Sequence, residues 1–222
     1  MVNSLNRDTK LLSIYETLFA HYGNLHWWPA KTPYEVIVGA VLTQNTTWSN
    51  VEKAIANFGE DLSPETVANA DLIELAEIIR PSGFFNQKAN YLKAVTTWFA
   101  KYDYDVPAVR SEPLEKVRGE LLSTKGIGLE TADAILLYAF DLPTFVVDAY
   151  TIRLCGRYPI DTGKDYATVK AYFEGNLPQS TEFYNIFHAL IVMNAKARCR
   201  KKPLCEGCPL GERCKKKGNY CR

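Results

Sequence analysis

A chain of 222 residues, 47% hydrophobic and 23% charged, can bury a sizeable core as one large or two small domains, and its composition excludes a disordered or fibrous chain. No apolar run approaches the roughly 20 residues a membrane helix needs, and the start MVNSLNRDTKLLSIYETLF lacks a cleavable signal pattern, so the expectation is a cytoplasmic protein with no membrane partner. The net charge of +1 hides an asymmetry: ten Lys or Arg against two acids between Lys196 and Arg222 give that tail +8 and leave −7 on the rest.

In chain order the pattern is helical almost throughout. Asp8 can cap a first helix that carries Leu11, Leu12, Tyr15, Leu18 and Phe19 on one face. Pro33 suits a first-turn position, and YEVIVGAVLTQ follows as a mostly buried helix. TWSNVEKAIANF is amphipathic and stops at Gly59; Ser63-Pro64-Glu65 opens a short helix, and Asp71 caps the next, LIELAEIIR. PSGFFN is a turn before the long amphipathic segment QKANYLKAVTTWFAKY. Ser111 precedes PLEKVRGELLS, and Gly126-Ile127-Gly128 separates that helix from ETADAILLYAF. Later helices are expected over Ala149–Arg157, Tyr166–Phe173 and Thr181–Lys196. Ten or so short helices, short connections and no alternating strand pattern describe an all-α fold.

The segment LLSTKGIGLETADAILLYAF reads as a helix, a Gly-Ile-Gly turn and a second helix. Its glycines permit positive φ and let the backbone approach a phosphate or another backbone closely, and the second helix start favours an anion. Such a turn also serves simply as a structural corner, with Ile127 packed back between the helices. Asp148 follows in PTFVVDAY, twenty residues beyond Gly128. It can N-cap AYTIRLC, and a cap that fixes a carboxylate is compatible with a catalytic one.

The tail holds Cys199, Cys205, Cys208 and Cys214, with gaps of five, two and five residues. In a reducing compartment clustered cysteines are metal ligands more often than disulfides, and one bound ion or cluster would fix this basic loop where phosphates can be neutralised together. Without such a centre the tail reads as a solvated charged terminus. Cys155 reads as a core residue and Cys221 as a tail thiol, while His21, His26 and His188 show no ligand spacing and read as structural.

The hairpin, then VVDAY, then the cysteine tail resemble, over roughly residues 30 to 215, the helix-hairpin-helix (HhH-GPD) DNA glycosylase superfamily that includes endonuclease III. The resemblance implies two helical domains with DNA across the cleft between them. One is a six-helix barrel over residues 26–142, with the hairpin at about 112–140; the other is a discontinuous domain of residues 1–25 and 143–222 with an iron–sulfur loop at 199–214. It implies Asp148 as the catalytic carboxylate, a DNA-backbone grip by Gly126, Ile127 and Gly128 with Lys125 as a phosphate contact, and a [4Fe–4S] cluster on the four cysteines. Gln44 matches the family's glutamine that enters the vacated base stack, and Phe84 its apolar wedge, although Phe84 could equally pack in the core. Trp27, Trp28 and Trp48, in HWWPAK and just after Gln44, match the 3-methyladenine glycosylase III branch, whose aromatic pair sandwiches an alkylated purine; as plain sequence they could also just line the barrel.

Three departures qualify the match. Glu130 stands in the slot where bifunctional members carry the lysine that attacks the sugar, and a carboxylate cannot form that imine. The first cysteine gap is five residues where endonuclease III has six, and four-thiolate zinc is the chemical alternative. Tyr150 stands where endonuclease III has a histidine after its aspartate. The expectation is a monomeric, monofunctional DNA N-glycosylase that flips and removes an alkylated purine from double-stranded DNA, with Asp148 catalytic and Glu130 shaping the pocket. The alternatives are a bifunctional glycosylase/lyase for oxidised pyrimidines and a non-catalytic iron–sulfur DNA-binding protein.

Overall fold

A computed structural model describes residues 9–25 and 27–215, all helix, turn and loop with no strand among them. Asp8, His26 and Cys221, each given a reading above, lie outside the described residues. Twelve α-helices follow one another: α1 (Thr9–Tyr22), α2 (Pro33–Leu42), α3 (Trp48–Ala56), α4 (Pro64–Asn69), α5 (Leu72–Ile78), α6 (Phe85–Ala100), α7 (Val106–Arg110), α8 (Leu114–Ser123), α9 (Leu129–Tyr138), α10 (Ala149–Arg157), α11 (Tyr166–Asn176) and α12 (Thr181–Ala197). The architecture is therefore all-α.

Most starts follow local chemistry. Thr32, Ser63, Asp71, Asp105, Asp148, Asp165 and Ser180 each place a side-chain oxygen on the first-turn amides of the next helix. Pro33, Pro64 and Pro107 sit in first turns, where no amide is required. α7 was not expected: Asp105 caps a five-residue helix in which Pro107 leaves no room for a hydrophobic period. Ser111 closes that helix instead of opening α8.

The chain divides into two compact units. The first, Trp28–Leu142, holds α2 to α9. Its centre is α2, whose residues from Val36 to Leu42 are all buried and which packs against α6 and α9. Trp98 and Phe99 stack on each other, and both meet Phe140 edge to face. A buried ion pair ties α8 to α9: Arg118 Nε and Nη2 donate to Asp133 at 2.7 and 3.1 Å, the aspartate being fully buried.

The second unit combines the described residues of Met1–Trp27 with those of Pro143–Arg222. Here α12 is the central helix, packed on by α1 and α10. Phe145, Phe173, Tyr184 and Phe187 form its aromatic core. Glu174 Oε1 accepts the Phe145 amide at 2.8 Å and pairs with Lys170, which anchors the extended arm 143–148.

Candidate active site

In the first unit, α8 and α9 form the expected hairpin, and its two glycines differ. Gly126 has φ +85, and a Cβ there would meet the Tyr91 ring at 2.1 Å, so no other residue fits without moving that ring. Gly128 is extended, and a Cβ there would meet nothing within 4 Å. Nothing inside the protein requires this glycine, and its bare backbone is open to close approach from outside. Ile127 is buried between the helices, while Lys125 and Glu130 are exposed on either side of the turn. The α9 start, with Glu130 in its first turn, provides backbone amides and positive dipole potential next to Gly128.

Gln44, just beyond α2, reaches this hairpin. Its Nε2 donates to the Gly126 carbonyl at 2.9 Å and to Thr131 Oγ1 at 3.1 Å. The neighbouring Asn45 has φ +54, a left-handed turn that asparagine tolerates. A second loop carries Phe84. Gly83 has φ +68 and Phe84 itself φ +47, ψ +31, an uncommon conformation for a bulky residue. Phe84 is 65% exposed, which rules out the core-packing alternative for it. Lys88, one turn into α6, is 2% exposed, and its Nζ donates to the carbonyls of Leu42 and Ser82 at 2.8 Å each. Burial pushes its ammonium down to about 8.

Trp28 leans on Gly39 of α2, where a Cβ would come within 3.3 Å of its ring. It meets Trp48 edge to face at 5.3 Å and Tyr138 at 5.2 Å. The three rings form one half-buried aromatic cluster in the first unit, and Tyr138, at the last turn of α9, gave no signal in the sequence. Trp27 belongs to the second unit, where the Lys196 ammonium lies 5.4 Å from its ring centre.

Asp148 is the N-cap of α10. Its Oδ1 accepts the amides of Tyr150 and Thr151 at 2.9 and 2.7 Å and the Thr151 hydroxyl at 3.0 Å. Its Oδ2 lies 3.4 Å from Nε2 of His188 on α12. The carboxyl is only 8% exposed, and burial alone would push its pKa up; the His188 and Thr151 donors outweigh that, and the net direction is down. The result is a buried carboxylate kept ionised with one oxygen fully engaged. His188, read from sequence as structural, is thus the neighbour of Asp148; with 39 residues between them, no spacing rule could pair them.

The far end of α10 grips the cysteine loop. Arg153 Nη1 donates to the Cys199 carbonyl at 3.0 Å, and Arg157 Nη1 to the Arg200 carbonyl at 2.7 Å and to Cys199 Sγ at 3.2 Å. Cys214 Sγ lies 3.4 Å from the Arg157 carbonyl. Burial, and to a lesser degree the neighbouring Cys199 and Cys214, push the Cys208 thiol up. Cys155 is buried in α10, apart from that set. Cys205 is disulfide-bonded, and among the described residues no three His, Cys, Asp or Glu side chains are gathered closely enough to hold an ion. By their chemistry, though not by their present spacing, the cysteines suit a thiolate-held group: Cys199, Cys208 and Cys214 are free thiols, a guanidinium lies on the Cys199 sulfur, and Cys205 would join them once reduced.

Residues 38–179 match the family described as HhH-GPD superfamily base excision DNA repair protein. A Methanocaldococcus jannaschii protein, named as a candidate DNA repair glycosylase, is 48% identical over 94% of this chain and 97% of its own length. The crystal structure of Helicobacter pylori 3-methyladenine DNA glycosylase bound to 1,N6-ethenoadenine superimposes with a TM-score of 0.73 at 29% identity, over 85% of this chain and 96% of that one. A non-covalent endonuclease III–DNA complex shares the fold at a TM-score of 0.82 and 22% identity, over 96% of this chain and 98% of that one. Among the described residues no helix is long and apolar enough to cross a membrane.

Proposed function

Since this chain belongs to the HhH-GPD superfamily of base excision DNA repair proteins and is a DNA glycosylase of that family, we propose that it is a monofunctional DNA N-glycosylase that releases an alkylated, positively charged purine from duplex DNA. The observation that carries the reading is the Asp148 carboxylate: buried, ionised and pinned through Oδ1 at the start of α10. A fixed negative charge stabilises the oxocarbenium-like sugar, or orients a water onto it, as the base departs. A cationic base is already a good leaving group, so no acid has to protonate it.

Glu130 supports the absence of a lyase step, because a carboxylate in that slot offers no amine for an imine. The aromatic side chains support the base class. Trp27 has the Lys196 ammonium over its ring, a contact that supports a role for this face in receiving positive charge. Trp48, braced by Trp28, offers a ring for stacking. The likeness to the Helicobacter pylori 3-methyladenine glycosylase points to the same class of base. Gly126, Ile127, Gly128 and Lys125 would take the DNA backbone, and Gln44 and Phe84 the gap left by the extruded nucleotide.

Cys199, Cys205, Cys208 and Cys214 would hold a [4Fe–4S] cluster, whose contribution is to clamp the loop that carries Arg198, Arg200, Lys201 and Lys202. Iron and acid-labile sulfide in the purified protein test this directly; bound zinc would replace the cluster in the reading. The function itself is tested by incubating the protein with methylated duplex DNA and identifying the released bases by chromatography. Release of 3-methyladenine is expected, with no strand scission before alkali and no covalent complex after borohydride. No release of any alkylated base would overturn the substrate class, and a borohydride-trapped complex would overturn the monofunctional mechanism.

A further inference from the structure

A lysine is expensive to bury, and the Lys88 stem would pack equally well as methionine. What the ammonium holds is therefore informative. One partner is the carbonyl of Leu42, the last residue of α2, two residues before Gln44. The other is the carbonyl of Ser82, two residues before Phe84. The Lys88 backbone amide also donates to the Phe84 carbonyl, at 2.9 Å. One residue thus fixes three points on the two loops that carry the proposed gap-filling side chains.

We propose that Lys88 is a positioning residue for base extrusion, a strut that locks the Gln44 loop and the Phe84 loop to each other. The inference rests on the roles proposed above for Gln44 and Phe84. A wedge has to resist the restacking of an extruded nucleotide, which costs a few kcal/mol to flip. Phe84 is an exposed ring on a left-handed backbone, and such a conformation persists only where its surroundings over-determine it. Backbone hydrogen bonds within the Gly83 turn, such as its amide to the Arg80 carbonyl at 3.2 Å, are local and cannot tie the wedge to a second loop. The charged hydrogen bonds from Lys88 can, and they tie the wedge to the rigid end of the buried helix α2.

The test uses the whole protein and a duplex with 2-aminopurine opposite a tetrahydrofuran abasic analogue, so the lesion need not be known. Insertion of Gln44 and Phe84 unstacks the 2-aminopurine and raises its fluorescence. With Lys88→Met, which keeps volume and loses the donors, the fluorescence rise at saturating protein should fall about tenfold. Affinity for the duplex should change only a few-fold, because the backbone grip is elsewhere. Circular dichroism melting checks that the variant is folded. Should it not fold, Lys88→Gln keeps an amide donor at similar size and should give an intermediate rise. In a Phe84→Ala background the Lys88 substitution should add little, since both act on one event. A full rise from a folded Lys88 variant would overturn the proposal. So would equal losses of affinity and fluorescence, which a purely structural lysine would produce. No rise with the unaltered protein would overturn the gap-filling roles themselves, and the strut with them.

Discussion

Among the helices that open on a carboxylate, α9 and α10 are built differently at their starts. Glu130 lies in the first turn of α9, exposed, next to a glycine whose surroundings are open. Asp148 caps α10, with 8% exposure, two backbone amides and a hydroxyl on one oxygen and a histidine beside the other. Both feel the positive end of a helix dipole. Asp148 has its geometry fixed by these partners, and it meets burial with enough donors to stay ionised. Helix starts are common places for acids; what separates a reacting carboxylate from a capping one is the full set of its contacts.

The largest effect is expected from Asp148→Asn. Asparagine caps a helix about as well as aspartate, so α10 should remain and duplex affinity should be nearly unchanged. The charge is gone, and single-turnover base release should drop by about 100-fold or more. Retained release would take the chemistry away from this residue, and lost binding would make it structural. The variant has a second signature. The native Asp148 pKa is held below its unfolded value, so its contribution to stability is present above roughly pH 4 and is lost as pH falls through the native pKa. Acid unfolding of Asp148→Asn should therefore depend less on pH than that of the unaltered chain.

An intermediate effect is expected from His188→Gln. His188 is among the donors that offset the burial of Asp148. Without it the carboxyl pKa rises, so the acid limb of the pH–rate profile should move to higher pH by about one unit, with only a few-fold loss at neutral pH. An unchanged acid limb would show that Thr151 and the α10 amides keep the carboxylate ionised unaided.

The helices were readable because their periods and caps are local: Ser63, Asp71 and Asp148 announce starts that the structure contains. So was the hairpin, where a positive-φ glycine is a local demand. Long-range partnerships were not. Nothing in the sequence says that Lys88 is buried, that Gln44 is docked on the hairpin, or that Tyr138 joins Trp28 and Trp48. Phe84 was ambiguous because an apolar residue after glycine serves a core or a surface equally, and only its exposure decides. Five residues of α7 are too few to reveal a period. In the tail, the cysteine spacing points to a shared centre, while the disulfide state of Cys205 leaves no trace in sequence.

The smallest effect is expected from Glu130→Gln, and it sharpens the contrast most. Glutamine keeps the length and polarity of the side chain, so pocket shape is preserved and only the charge is lost. An exposed charge in a first helical turn is worth about 0.3–1 kcal/mol, so base release should change less than about fivefold. Duplex affinity should rise slightly, because a negative charge beside the proposed phosphate grip of Gly126–Gly128 is removed. A loss as large as that of Asp148→Asn would reverse the assignment, placing the reacting carboxylate on the exposed start of α9 and leaving the buried one as a cap. The two substitutions, measured on one substrate at one salt concentration, decide which of the two helix starts acts on the sugar.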